Sequence, residues 1–275
     1  MMHIKYLFFS LFLLINTAFA NIARISNIDL IETVLQKSYP DTLVIFDVDR
    51  VLIMPTNEHT LNRHPYRQKL LRKLQAKLSK EEQKKLYGVT ASMAEWRLVD
   101  PYILNIISYL EENHIPAIAL TSLSTGKFGV IEKLEDWRIQ QLKNFNIDFI
   151  RLSPIKDDIS IKELEEDEGT PMLKSGIIFT AEIDKSKVLE HILRTKNYYP
   201  KTIIFIDDQL KNIEQVEKLA ANLQIKFHGF HYTAVSKMPL PVIINKQTEK
   251  LRFQILEKNH RWLNYKELSH QIAGK

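Results

Sequence analysis

The sequence predicts an α/β fold: a doubly wound parallel sheet with a helical cap inserted after the first strand. Continuous apolar runs recur at Leu43-Val44-Ile45-Phe46, Ala117-Ile118-Ala119-Leu120 and Ile203-Ile204-Phe205-Ile206, the pattern of strands buried on both faces. Segments of helix length separate them, and short strands alternating with helices build parallel sheets. Between the first two runs lies a long polar stretch rich in Lys, Gln, Leu and Glu, from about Met54 to Leu98.

Residues 1–20 carry His3 and Lys5, an apolar stretch from Tyr6 to Ile15, and Asn16-Thr17-Ala18-Phe19-Ala20 with a small-x-small ending. This is the pattern of a secretory signal peptide cleaved after Ala20. An uncleaved anchor needs about 20 apolar residues, and this stretch turns polar too soon, so no stable membrane anchor is expected after cleavage. The expected location is the periplasm or the medium. Export permits disulfides, but the chain has no cysteine. Its fold is therefore held by an apolar core alone, with no lipoprotein attachment and no thiolate metal site.

A content of 45% hydrophobic and 26% charged residues excludes the disordered and low-complexity classes. The formal net charge is +5, or +4 once Lys5 leaves with the leader. The basic residues are interleaved with Glu rather than massed in one patch, so no nucleic-acid partner is expected.

Ser26 opens a short helix to about Ser38, ended by Pro40-Asp41. Residues 66–87 read as helical, with Gly88 ending that piece, and Asp100-Pro101 starts a helix to about Asn113. Residues 129–144 read as a helix and 147–152 as a strand. Residues 153–175 form a smaller polar insertion whose acidic run, Glu163 to Glu168, lacks the alternating oxygen ligands of a calcium loop. A strand over 176–181, a helix over 185–196, a helix to about Leu223 and a strand near 225–230 follow. The domain reading is then a leader at 1–20, a core at 21–53 and 99–245, a cap at 54–98, and a C-terminal helix at 246–275.

Each buried run ends in polar residues: Asp47-Val48-Asp49, Thr121-Ser122 and Asp207-Asp208. Ligands of parallel α/β sheets bind beyond the carboxyl ends of the strands. If the three strands are neighbours, four carboxylates converge there. Like charges so close raise one another's pKa, and a divalent cation resolves the conflict. With only hard oxygen ligands at the strand ends, that cation should be Mg²⁺. Singly these residues have bland readings: Asp208 as a helix cap, Thr121 as a turn residue, Lys185 as a surface lysine.

Together they resemble the four motifs of the haloacid-dehalogenase-like (HAD) superfamily. Val44-Ile45-Phe46-Asp47-Val48-Asp49-Arg50-Val51-Leu52 resembles the first, Ile118-Ala119-Leu120-Thr121-Ser122 the second, Asp184-Lys185-Ser186-Lys187-Val188-Leu189 the third and Ile204-Phe205-Ile206-Asp207-Asp208 the fourth. The leader, the helical insertion and the Asp-Asp ending are similar to an exported, poorly characterised phosphatase-like subfamily.

The resemblance implies a Mg²⁺-dependent phosphohydrolase acting on a small phosphorylated substrate. Asp47 would be the nucleophile that forms an aspartyl-phosphate, and Asp49 the general acid and base, its backbone carbonyl also meeting the metal. Thr121 would donate to the phosphoryl oxygens, and Lys185 would neutralise nucleophile and phosphate. Asp47, Asp49, Asp207 and Asp208 would form the metal set. Lys185 is chosen over Lys187 because Leu189, Ile192 and Leu193 follow it on one helical face. An Asp two residues after the nucleophile goes with phosphatases and phosphotransferases in that family.

Two departures touch substrate choice: Arg50 stands where many relatives carry Gly or Asn, and residues 122–125 lack the Arg often found after the motif-two Thr. Arg63, His64, Arg67 and Trp96 are candidate substrate contacts, with surface or packing roles as the rival reading. A phosphotransferase would share the same site. A non-catalytic secreted binding protein of this fold would not need the whole set.

Overall fold

The three apolar runs lie side by side in one eight-stranded sheet. The computed structural model describes residues 22–37, 41–56, 64–238 and 245–273. β1 (Ile22–Ile25) leads through a 3-10 turn at Ile28–Ile31 and α1 (Glu32–Leu35) to β2 (Thr42–Phe46). β3 (Ile53–Pro55), α2 (Pro65–Gln75), α3 (Lys80–Met93) and β4 (Trp96–Leu98) form the insertion, closed at its base where β3 pairs antiparallel with β4.

The chain returns to the sheet through α4 (Ile103–Glu112) and β5 (Ala117–Thr121). Next come α5 (Leu134–Lys143), α6 (Phe149–Leu152), β6 (Ile159–Ser160), β7 (Met172–Lys174) and β8 (Ile177–Phe179). The last third holds α7 (Lys185–Thr195), β9 (Thr202–Asp207), α8 (Leu210–Asn222), β10 (Lys226–Tyr232) and α9 (Ala234–Lys237). It ends in α10 (Lys246–Asn259) and α11 (Tyr265–Ala273).

The strand order is β1-β10-β9-β2-β5-β8-β7-β6. The pairs from β1 across to β8 are parallel, whereas β7 and β6 run antiparallel at one edge. Side chains alternate across each strand, so β2 feeds two cores. Val44 and Phe46 pack with Ile103, Ile106 and Leu110 of α4 on one face. Leu43 and Ile45 pack with Val188 and Ile192 of α7 and Val216 of α8 on the other. Helices on both faces make the sheet doubly wound.

The chain runs β2 to β5 to β8 on one side and returns to β9 and β10 on the other. The β2–β9 junction is therefore the point where the strand order reverses, where such sheets open a crevice. Phe46 stands level with Ile206 of β9 and Ala119 of β5. That register brings the polar residues following each run to one edge.

Several local expectations change. The strand read over 147–152 is the short helix α6, because Asp148 Oδ1 accepts from the Ile150 N–H at 3.3 Å and turns Phe149 and Leu152 inward. Gly88 sits inside α3 rather than ending it: a Cβ there would meet the Phe128 carbonyl oxygen at 2.8 Å. The glycine serves a close approach of helix to core. The 153–175 insertion is no mere loop, since β6 and β7 extend the sheet. The C-terminal helix is two helices, separated by His260 in the left-handed region (φ 48°). Among the described residues no helix is long and apolar enough to cross a membrane. The leader read at 1–20 and Arg63 lie outside the described residues.

The insertion has its own small core. Leu74, Leu86 and Val89 pack against Phe253, Leu256 and Trp262, so the C-terminal segment belongs with the insertion. Arg67, fully buried, donates to Glu249 Oε1 at 2.6 Å, and Arg252 Nη1 lies 3.4 Å from the same oxygen while its guanidinium stacks 5.0 Å from the Trp262 ring centre. Arg67 is thus a structural tie between α2 and α10, not a substrate contact. His64 caps α2, its Nδ1 accepting from the Tyr66 N–H at 3.2 Å.

Removing one partner of a buried charge network costs about 3–5 kcal/mol. Glu249→Ala should therefore destabilise the insertion by about 3 kcal/mol. In hydrogen exchange, amides of α2 and α10 should lose protection while those of β2 and β9 keep theirs; uniform loss, or none, contradicts this account.

Candidate active site

Asp47 follows the last residue of β2, and its N–H donates to the Ile206 carbonyl at 2.9 Å. Asp207 ends β9 and Lys185 begins α7. The Lys185 ammonium donates to Asp47 Oδ1 at 2.6 Å and to Asp207 Oδ2 at 2.7 Å, with all three side chains buried. Asp207 also accepts from the Gln209 N–H at 2.7 Å and from Asn212 Nδ2 at 3.1 Å. Asn212, in the first turn of α8, has no signal in the sequence beyond its place after the motif. Lys187 is exposed.

Asp208 is the more exposed neighbour of this buried trio. Its carboxylate is 3.6 Å from Arg50 Nη1, and its carbonyl is 3.1 Å from His231 Nε2. Arg50 has a left-handed backbone (φ 67°), the conformation Gly or Asn adopts most readily. The turn is fixed by Leu52 and Ile53 N–H groups donating to the Val48 carbonyl and by Arg50 N–H donating to Ile53. The guanidinium is thereby aimed at Asp208.

Thr121 is buried at the end of β5, its hydroxyl accepting from the Leu123 N–H at 3.3 Å. A hydroxyl that accepts one bond still has a proton to donate. Beyond it, Ser124 donates to Glu168 Oε2 at 3.2 Å and Thr125 to the Thr170 carbonyl at 2.9 Å. Residues 122–125 thus tie down the second insertion instead of presenting an arginine.

The Asp49 side chain stands apart from the carboxylate cluster. Both its oxygens accept from Arg138 Nη2, at 3.0 and 3.2 Å. Arg138 carries no signal in the sequence, where it reads as an ordinary polar residue of a helix. Trp96 lies beside it, with its ring centre 4.8 Å from the guanidinium. A cavity of about 490 Å³ opens next to Arg138, between α3 and the core, walled by Tyr87, Trp96, Leu123, Phe128, Trp137 and Glu182.

Three carboxylates face one ammonium here. Burial pushes the Asp47 carboxyl well up, Lys185 opposes that shift, and Asp207 and Asp208 add to it. Burial alone would lower the Lys185 pKa, but Asp47 and Asp207 outweigh it and hold the ammonium charged. Asp208 is pushed up to about 6, first by burial and then by Asp207, against Arg50 and Lys185. Asp47, Asp207 and Asp208 each offer an oxygen within 4.8 Å of the others. An all-oxygen set with excess negative charge fits a hard divalent cation.

Residues 24–269 match a family described as a protein of unknown function, DUF2608. The chain belongs to this family. The match spans core, insertion and C-terminal helices alike. A Rickettsia bellii protein described as uncharacterized is similar, 28% identical over 244 residues that cover 83% of this chain and 82% of that one. Two uncharacterized Rickettsia prowazekii proteins also align. RP295 is 33% identical over 132 residues, 46% of this chain and 44% of its own, and RP296 is 24% identical over 212 residues, 76% of each. No solved structure matches.

The Asp208 shift sets a pH dependence. A folded pKa of about 6, above the ordinary 3.8, means the native state holds this proton more tightly than the unfolded chain. The contribution is full below 3.8 and is lost as pH rises through about 6. In metal-free protein, Asp208→Asn should therefore raise Tm near neutral pH by about 2–4 °C and flatten that part of the stability curve. Thermal melts across the range check it, and an unchanged or lower Tm at neutral pH contradicts it.

Proposed function

We propose that the protein is an exported, Mg²⁺-dependent phosphohydrolase of the HAD type. It cleaves a small phosphomonoester through an aspartyl-phosphate on Asp47, with residues 54–98 as its cap. The observation that supports this most is the Lys185 ammonium shared between Asp47 and Asp207, side chains from separate strands that meet at the switch point of the sheet. A purely structural role does not call for a buried nucleophile-type carboxylate, a buried ammonium and two further carboxylates at one strand edge. The export reading rests on the leader pattern of residues 1–20.

An oxygen of Asp47 attacks phosphorus while the bond from phosphorus to the leaving oxygen breaks, and Asp49 gives that oxygen its proton. In the second step a water oxygen bonds to phosphorus and Asp49 takes a proton from it. The bond to Asp47 breaks and inorganic phosphate leaves. Both steps use one carboxyl group as acid and then base. Thr121 donates to a phosphoryl oxygen. Lys185 holds Asp47 in place and offsets the negative charge of nucleophile and phosphate. Mg²⁺ held by Asp47, Asp207, Asp208 and the Asp49 carbonyl would offset charge developing on the transferred group.

The mature protein should hydrolyse a generic aryl phosphate with Mg²⁺, lose activity to chelator and regain it on adding the metal back. Asp47→Asn should lower kcat at least about a thousandfold and abolish the phosphorylated enzyme trapped by rapid acid quench. Folded, metal-binding protein that is silent across a broad phosphate panel would overturn the proposal.

A further inference from the structure

Arg138 sits in the second turn of α5, and its side chain is only 3% exposed. Its Nη2 donates to both oxygens of Asp49, and Nη1 donates to Gln141 Oε1 at 2.8 Å. Trp96 and Trp137 stand against the guanidinium, with ring centres 4.8 and 5.1 Å away, and meet each other edge-on at 5.9 Å. Each of these contacts removes rotational freedom from the guanidinium, so its two Asp49 bonds point in one direction.

As a stabilising device the arrangement is poor. A buried guanidinium needs full pairing to offset its desolvation. Here its carboxylate partner is 42% exposed, and the buried Arg138 Nε has no hydrogen-bond partner among the described residues. What the arrangement does well is fix a carboxylate. Asp49 lies in the tight turn after β2, beside the left-handed Arg50. Among the described residues, the hydrogen bonds to its carboxylate come from Arg138.

The geometry points to Arg138 as the positioning residue for Asp49, holding the proton-transferring carboxylate in its working rotamer through a guanidinium packed into the corner formed by Trp96 and Trp137. This inference rests on the phosphohydrolase reading. The corner has one wall from each part of the molecule: Trp137 belongs to core helix α5, and Trp96 to β4, the strand that closes the insertion. Seating of the insertion and orientation of Asp49 are thereby coupled at a single side chain. A misplaced acid loses most of its value, because proton transfer needs hydrogen-bond reach to the leaving oxygen.

The test compares kcat/KM for two substrates, since that ratio reports the first phosphoryl transfer. One is an aryl phosphate whose phenolate leaves without protonation. The other is an alkyl phosphate whose alkoxide needs the proton. Arg138→Met should lower kcat/KM for the alkyl ester about a hundredfold and for the aryl ester less than about threefold. Arg138→Lys should fall between Arg138→Met and wild type for the alkyl ester. In an Asp49→Asn background, Arg138→Met should add nothing further.

Equal losses on both substrates would assign Arg138 to folding or substrate binding, and no loss on either would leave it without a role; each overturns the inference. If Arg138→Met fails to fold, the alkyl-to-aryl ratio of Arg138→Lys decides alone. A wild-type protein inactive on both esters overturns the phosphohydrolase reading and this one together, whereas an active wild type with unselective variants overturns only this one.

Discussion

One ammonium group holds the centre of this molecule together. Lys185 reaches from the first residue of α7 to the Asp207 carboxylate at the end of β9 and to Asp47 just after β2, whose carboxyl burial pushes well up against the pull of the ammonium. Asp47 and Lys185 are 138 residues apart in the chain. Their meeting depends on the crossover that carries the chain past β5 and β8 and back to β9. Had β9 been laid beside β8, two strands would separate Asp207 from Asp47 and the ammonium could not serve both. The strand order and the charge balance of the crevice are therefore one constraint.

That constraint also explains the surplus of acid. With Asp208 included, the site carries three carboxylates against Lys185, and Arg50 lies 3.6 Å from the outermost of them. A site so arranged is destabilising as a closed ion-pair network and suited to receiving positive charge from outside. The strained backbone at Arg50 fits the same reading, since strain of this kind persists where the surrounding structure fixes a turn for a purpose.

Much of the core was legible because its signals are local. A continuous apolar run ending in Asp states both a buried strand and the residue at its tip, which is why β2, β5 and β9 could be drawn with their polar ends. The rest fails where meaning depends on a tertiary partner. Arg67 reads as a substrate contact or a surface residue, and Arg138 as an ordinary polar one, until Glu249 and Asp49 are seen beside them. Gly88 reads as a helix stop, but only the Phe128 carbonyl shows it to be a point of contact. β1, with exposed Ala23 and Arg24, has no periodicity to announce it and becomes a strand by pairing with β10. Phe149-Ile150-Arg151-Leu152 suits a strand by composition, yet one hydrogen bond from Ile150 N–H to Asp148 turns it into a helix.

In the proposed reaction Asp47 faces phosphorus while Asp207 and Asp208 share a cation with it. A crystal structure of the protein grown with Mg²⁺ and beryllium fluoride, a mimic of a phosphorylated carboxylate, tests this directly. The account predicts beryllium bonded to an Asp47 oxygen, Mg²⁺ ligated by Asp47 and Asp207, and Lys185 turned to the fluoride. Metal bound elsewhere, with Lys185 still bridging an unmodified Asp47 and Asp207, would contradict it.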